Sequence, residues 1–80
     1  MDREPNRGWR SFRLALDRAA RSRLRIHDVT GRVMETVIDD VLGAGGHQLR
    51  WSAKGVPAGL YFAKMHVNDR SLVRRLVIER

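Results

Sequence analysis

The sequence predicts an all-β domain, either an antiparallel sandwich or a small barrel of six or seven short strands. Apolar and polar residues alternate with period two in six segments, which is typical of strands with one buried face. Clusters of Gly, Asn, Asp and Pro separate these segments, at the spacing of about 8–12 residues that antiparallel folds show. No segment carries a convincing helical pattern.

The first two predicted strands share one pattern. In the first, which begins near Ser11, apolar side chains occupy every second position: Phe12, Leu14 and Leu16. A helix over residues 14–21 competes with this interpretation because Leu, Ala and Arg are good helix formers. Leu24 and Ile26 alternate with basic residues in the second segment, and this continued alternation favours strands for both.

A hairpin turn is predicted at residues 28–32. Gly31 supplies the positive φ of a two-residue turn, and the Asp28 carboxylate can accept hydrogen bonds from backbone amides of the turn. The third strand then runs from Arg32 to Ile38, and the pair Asp39-Asp40 is expected to end it in a turn.

Three strands are predicted in the second half of the chain. The fourth follows the glycine-rich turn at 43–46, and Trp51, which is in phase with Leu49, is predicted to lie in the core. The other tryptophan, Trp9, precedes the first strand and is expected to cover the end of the sandwich. The fifth, residues 60–67, puts Tyr61, Ala63, Met65 and Val67 on one face and Phe62, Lys64 and His66 on the other. A tight turn at Asn68-Asp69 leads to the sixth, residues 72–78.

Length and composition limit the chain to one domain. Eighty residues, 42% of them apolar, can bury only a thin core. Residues 1–10 are expected to form a linker or a loosely ordered arm, and residues 11–80 the domain.

Cysteine is absent, which excludes a disulfide scaffold and thiol chemistry. No apolar run approaches the roughly 20 residues of a membrane span, and the N-terminus has no signal-peptide pattern, so the chain is expected to be cytoplasmic or part of a longer protein.

The charge favours anionic partners. Lys and Arg total 16 against 9 acidic residues, a net charge of +7. Four arginines on or beside the first two strands could line a phosphate-binding face: Arg18, Arg21, Arg23 and Arg25. Nucleic-acid binding is the less favoured interpretation, because aromatic residues are not interleaved with these arginines, and a solvated face shows the same alternation.

Catalysis, cofactor binding and metal binding are not expected. The only histidines, His27, His47 and His66, are 20 and 19 residues apart, whereas zinc sites have closely spaced ligand pairs. Asp39-Asp40 lacks the spaced oxygen series of a calcium loop. Ser52 and Ser71 lack a nucleophile motif, and a thin sandwich offers little room for a small-molecule pocket.

The order of the turns resembles a known family. Four segments in sequence carry the resemblance: residues 24–32 (LRIHDVTGR), 45–51 (GGHQLRW), 56–65 (VPAGLYFAKM) and 74–78 (RRLVI). Together they resemble the C-terminal sorting domains of bacterial type IX secretion cargo, and they are similar to the immunoglobulin-like domain of flagellar hook-capping proteins. The short link at 51–57 favours the sorting branch.

The resemblance implies an immunoglobulin-like β-sandwich that closes a longer exported protein. Such a domain is recognised by an outer-membrane translocon, is commonly cleaved, and accompanies its cargo through the periplasm to the cell surface or medium. We expect a partner from the secretion machinery, or a neighbouring surface protein if the domain is instead structural or adhesive. The expected recognition residues lie in two turns and the final strand: Asp28, Gly31, Arg32, Gly59, Tyr61, Arg74, Arg75 and Arg80.

Overall fold

The computed structural model describes residues 8–79, which form six antiparallel strands and no helix. The all-β prediction is confirmed, and the arrangement is consistent with an immunoglobulin-like sandwich. Within residues 8–79 no helix is long and apolar enough to cross a membrane. The strands are β1 (Trp9–Leu16), β2 (Ala20–His27), β3 (Val33–Leu42), β4 (Gly45–Ser52), β5 (Gly59–Val67) and β6 (Arg70–Ile78).

Only the last part of the predicted N-terminal arm lies within the described residues. Residues 1–7 of the arm predicted over 1–10 lie outside the described residues, and β1 already begins at Trp9. The helix considered over residues 14–21 does not form, because β1 continues to Leu16 and β2 starts at Ala20. Trp9 does not cover the end of the sandwich as expected. It lies on the outer face of β1, where the Arg50 guanidinium stacks 4.6 Å from its ring centroid.

Two sheets enclose the core. One contains β1 and β4; the other has the strand order β3-β2-β5-β6. More buried side chains alternate with more exposed ones along β1, β2, β4 and β5, as a sheet with one buried face requires. Strand β6 shows this alternation only at its end, and β3 has no fully buried side chain. Buried side chains form one hydrophobic cluster between the sheets: Phe12, Leu24, Ile26, Trp51, Ala53, Tyr61, Ala63, Met65, Leu76 and Ile78.

The register of the central strands confirms the predicted faces of β5. Leu24 of β2 lies opposite Met65, and Ile26 lies opposite Ala63; all four are buried. The intervening β5 residues, Phe62, Lys64 and His66, are only half-buried on the outer face. Trp51 is 2% exposed, which confirms its predicted place in the core.

The predicted end of β3 at Asp39-Asp40 is wrong. The strand continues to Leu42, with Asp39 paired to Arg23 and Asp40 to Ser22 of β2. The Arg21 Nη2 atom donates to Asp39 Oδ1 at 2.9 Å, so the neighbouring strand supplies the counter-charge that lets a carboxylate sit inside the ladder. The residues around Asp39-Asp40 carry no information about the opposing strand β2, so on their own they predict a turn.

Candidate recognition surfaces

The β2–β3 turn is organised by one carboxylate. Asp28 Oδ1 accepts hydrogen bonds from the Thr30 hydroxyl at 2.6 Å, the Thr30 amide at 2.9 Å and the Arg32 amide at 3.1 Å. Asp28 and Arg32 also pair through their backbones, and Gly31 has φ +90°. The strands are joined by residues 28–32 rather than by the expected two-residue turn, because the Asp28 carboxylate accepts from amides two and four residues ahead and so organises a longer loop.

These hydrogen bonds favour the charged form of Asp28. The Thr30 hydroxyl is the largest cause that lowers the pKa of this carboxyl below its usual 3.8, and partial desolvation opposes it; the Arg32 and Thr30 amides and the Arg32 charge also lower it. The Arg32 Nε atom lies 3.4 Å from Asp28 Oδ2, and its side chain is mostly exposed. Asp28 and Arg32 therefore act first as turn-forming residues.

We expect Asp28→Asn to lower the thermal midpoint at pH 7, because the turn loses its charged acceptor. A folded-state pKa below the unfolded value of 3.8 means that the stabilisation is complete above that value and is lost as the pH falls through the folded-state pKa. The difference in thermal midpoint between wild type and variant should therefore shrink as the pH is lowered from about 5 to about 2. Thermal melts across this range test this, with Asp69→Asn as an exposed control. A difference in midpoint that does not change with pH would contradict it.

The segment before β5 is held by Tyr61. Its ring is buried, and its hydroxyl donates to the Pro57 carbonyl at 2.6 Å, so the tyrosine fastens the loop four residues upstream to the end of the sandwich. Gly59 has φ +153°, and a Cβ placed there would contact the Tyr61 ring at 3.8 Å. The positive φ, rather than lack of space, makes glycine the favoured residue here.

Strand β6 is an edge of the four-stranded sheet. It pairs with β5 on one side, and Arg74 and Arg75 are both exposed. They do not form one basic patch, because successive strand residues point to opposite faces. Arg75 lies on the outer face opposite Phe62, whereas Arg74 shares the inward phase of Leu76. Arg80 lies outside the described residues.

Sheet order brings three of the predicted pieces together. His27 pairs with Phe62, and Gly59 pairs with Ile78. The turn at 28–32, the segment at 56–61 and the end of β6 therefore share one end of the four-stranded sheet. Arg74 and Arg75 lie farther along β6, at the middle of the strand.

Sequence reasoning missed residues that surround β6. Arg10 Nη2 donates to the Val77 carbonyl at 3.2 Å, across the gap from β1. Leu72, Val73 and Val77 expose most of their apolar side chains. The alternation of β6 assigns Leu72 to the buried face, and only the position of β1 shows that the sandwich is open there. The sequence does predict that the final strand is an exposed edge with basic residues, but no local signal points to the contact with Arg10 or to the exposure of Leu72.

The histidines are dispersed over the fold. His27 Nδ1 lies 3.0 Å from the Gly31 carbonyl, His47 Nε2 lies 2.7 Å from the Gly43 carbonyl, and His66 Nδ1 lies 2.9 Å from the Ser71 hydroxyl. Each imidazole thus has a partner nearby in sequence. Among the residues that the structure describes, no group of three His, Asp or Glu side chains is placed to hold a metal ion.

Comparison with known proteins identifies the family. Residues 5–79 match the family model described as the secretion system C-terminal sorting domain. Comparison with curated proteins and with solved structures gives no match, and the relation to hook-capping proteins stays a prediction. The match covers nearly the whole chain and includes the turn at 28–32, the Tyr61 segment and β6, so the chain belongs to the type IX secretion C-terminal sorting domains.

Proposed function

We propose that this domain directs a longer exported bacterial protein to the cell surface or medium, and that an outer-membrane translocon recognises it at the free edge of β6. The domain performs no catalysis in this role. Membership of the sorting-domain family supports the sorting role itself. The observation that carries the proposed recognition site is the side of β6 that pairs with no other strand within residues 8–79.

Backbone direction defines what this edge offers. The Arg10 guanidinium reaches the Val77 carbonyl from the β1 side, and peptide groups along a strand alternate in direction with period two. The N–H and C=O groups of Val73 and Arg75 therefore face the same side as the Val77 carbonyl. An extended segment of a partner protein can hydrogen-bond to such an edge as an added strand.

The side chains of β6 define the chemistry of the partner. Leu72 and Val73 are 66% and 61% exposed, and Arg70, Arg74 and Arg75 are exposed beside them. A complementary strand would present apolar side chains with carboxylates between them, because opposite charges on paired strands attract. We therefore assign the partner an acidic, extended segment.

A reporter fusion tests this function. Residues 5–80 are fused behind an exported reporter in a host with type IX secretion, and reporter is measured at the surface, in the medium and in the periplasm. We expect the wild-type fusion to reach the surface or medium and Val73→Pro to remain periplasmic, because proline removes the N–H that faces the free edge. Val73→Ala keeps that N–H and should be exported.

The outcomes separate recognition from folding. Deleting residues 72–80 should also trap the reporter, but it removes the buried Leu76 and Ile78 and so disrupts the core as well. Val73→Pro changes one exposed residue and leaves the core side chains in place. Circular dichroism of the purified variant shows whether it is still folded. Export of folded Val73→Pro at the wild-type level would rule out the edge as the recognition element. A folded wild-type fusion that stays periplasmic would favour a structural or adhesive sandwich.

A further inference from the structure

The outer face of the four-stranded sheet concentrates positive charge. Alternation along β2 and the pairing of β5 with β6 place five cations and one carboxylate there, a balance of +4. We call this surface the basic face; its charged strand residues are Arg21, Arg23, Arg25, Lys64, Arg75 and Asp39. The outer face of the β1–β4 sheet carries two arginines, Arg13 and Arg50.

The cations at the centre of the basic face are only partly compensated: Arg23 lies opposite Asp39, whereas Arg25 has no carboxylate opposite it on either neighbouring strand. Arg25 pairs directly with Lys64 in the β2–β5 register, and its β3 neighbour is the uncharged Thr36. The Nε atoms of Arg23 and Arg25 are buried with no hydrogen-bond partner in the described part of the chain. Like charges on paired strands destabilise a sheet, so an anion bound beside Arg25 and Lys64 would relieve the repulsion between these two cations.

Apolar side chains flank the basic centre at both edges of the sheet. Val33 and Val41 of β3 pair with His27 and Arg21, and on β6 Val73 pairs with Lys64 and Val77 with Leu60. All four valines are exposed. A cationic centre with an apolar rim matches the boundary between lipid headgroups and acyl chains, where cations meet phosphates and apolar groups leave water.

Shape and composition favour a membrane surface over nucleic acid. The described chain measures 38 × 35 × 16 Å, so it is thin, and the four-stranded sheet presents a broad side. Single-strand binders stack bases on exposed aromatic rings. The basic face has one ring of the Phe, Tyr or Trp type, Phe62, and it is half-buried. Arginine, which supplies four of the five cations, binds phosphate oxygens through two parallel hydrogen bonds.

We propose that the basic face binds a lipid bilayer that displays anionic phosphate headgroups. This site is centred on side chains of β2 and β5, whereas the proposed sorting site is the edge of β6. The two sites share Val73 and Arg75, but Arg23, Arg25 and Lys64 belong to the basic face alone and test it separately. A cell-surface protein that binds anionic lipid in this way would be held flat against the membrane, with the β1–β4 sheet facing away from it.

Vesicle flotation of the 80-residue chain tests the proposal with a matched pair of lysine variants. Lys64 lies on the basic face, and Lys54, the only other lysine, is exposed in the link before β5. With vesicles of phosphatidylcholine and phosphatidylglycerol, each cation at the surface contributes about five-fold in partitioning. Lys64→Glu, a change of two charges, should therefore lose about 25-fold. Lys54→Glu should lose less than about two-fold, although its net charge is the same.

A second pair keeps the test decisive if Lys64→Glu fails to fold. Arg23→Gln with Arg25→Gln should reduce partitioning far more than Arg13→Gln with Arg50→Gln, which removes the same charge from the opposite side. Equal losses within a folded pair would mean that net charge alone drives binding, and would overturn the proposal. Equal binding to pure phosphatidylcholine vesicles would also overturn it, as would binding to a single-stranded oligonucleotide without binding to anionic vesicles.

Discussion

Trp51→Ala is expected to lower the free energy of unfolding by about 3–5 kcal/mol, the usual cost of removing a large buried ring. Trp51 is among the least exposed side chains of the core, and its Nε1 atom donates to Glu35 Oε1 at 2.8 Å. The ring thereby links β4 in one sheet to β3 in the other. A domain of this size is stable by only about 4–12 kcal/mol, so the variant should be largely unfolded at moderate denaturant concentrations.

Chemical denaturation of two further tryptophan variants separates the contribution of ring burial from that of the hydrogen bond to Glu35. Trp9→Ala removes the same ring from the outer face of β1 and should cost about 0.5–1 kcal/mol through its contact with Arg50. Trp51→Phe keeps most of the apolar surface but loses the hydrogen bond to Glu35, and its loss should fall between the two. Similar losses for Trp51→Ala and Trp9→Ala would contradict the described core.

Leu24→Ala should cost about 2–5 kcal/mol, because it leaves a cavity at the centre of the sandwich. Leu24 is 1% exposed and lies opposite Met65 on β5 and Ile38 on β3, so neighbours on both sides would lose contacts. Leu72→Ala deletes the same atoms at a position 66% exposed and should stay within about 0.5 kcal/mol of wild type. Unfolding midpoints in urea give both values, and a costly Leu72→Ala would show that the open side of the sandwich is closed in solution.

Alternation predicted the parts of the fold that depend on one strand at a time. The faces of β5 follow from period two, since Tyr61 and Met65 must share a side and Lys64 must take the other. Trp51 could be assigned to the core because it is in phase with Leu49. These assignments need no knowledge of the partner strand, which explains why they agree with the structure.

The parts that depend on a neighbouring strand could not be predicted locally. Asp39-Asp40 has the composition of a turn, yet it stays in β3 because Arg23 on β2 lies opposite Asp39 and Arg21 forms an ion pair with the same carboxylate. The same limit applies to recognition. The turn at 28–32 could be identified from Asp28 and Gly31, but its place at the same end of the sheet as the end of β6 depends on sheet order. The opposite directions of Arg74 and Arg75 depend on strand register.

The long-range pairing of this sandwich makes its folding cooperative. The β1–β4 and β2–β5 ladders join segments far apart in sequence, such as Phe12 with Leu49 and Ser22 with Val67, so their loops must close before the contacts can repay the lost chain entropy. The hydrophobic cluster itself extends from Phe12 to Ile78. No contiguous fragment shorter than residues 12–78 contains it, and the hairpins β2–β3 and β5–β6 each hold only part of one buried face. The domain therefore has no smaller folding unit, and its last strand is as much a condition of the native state as its first.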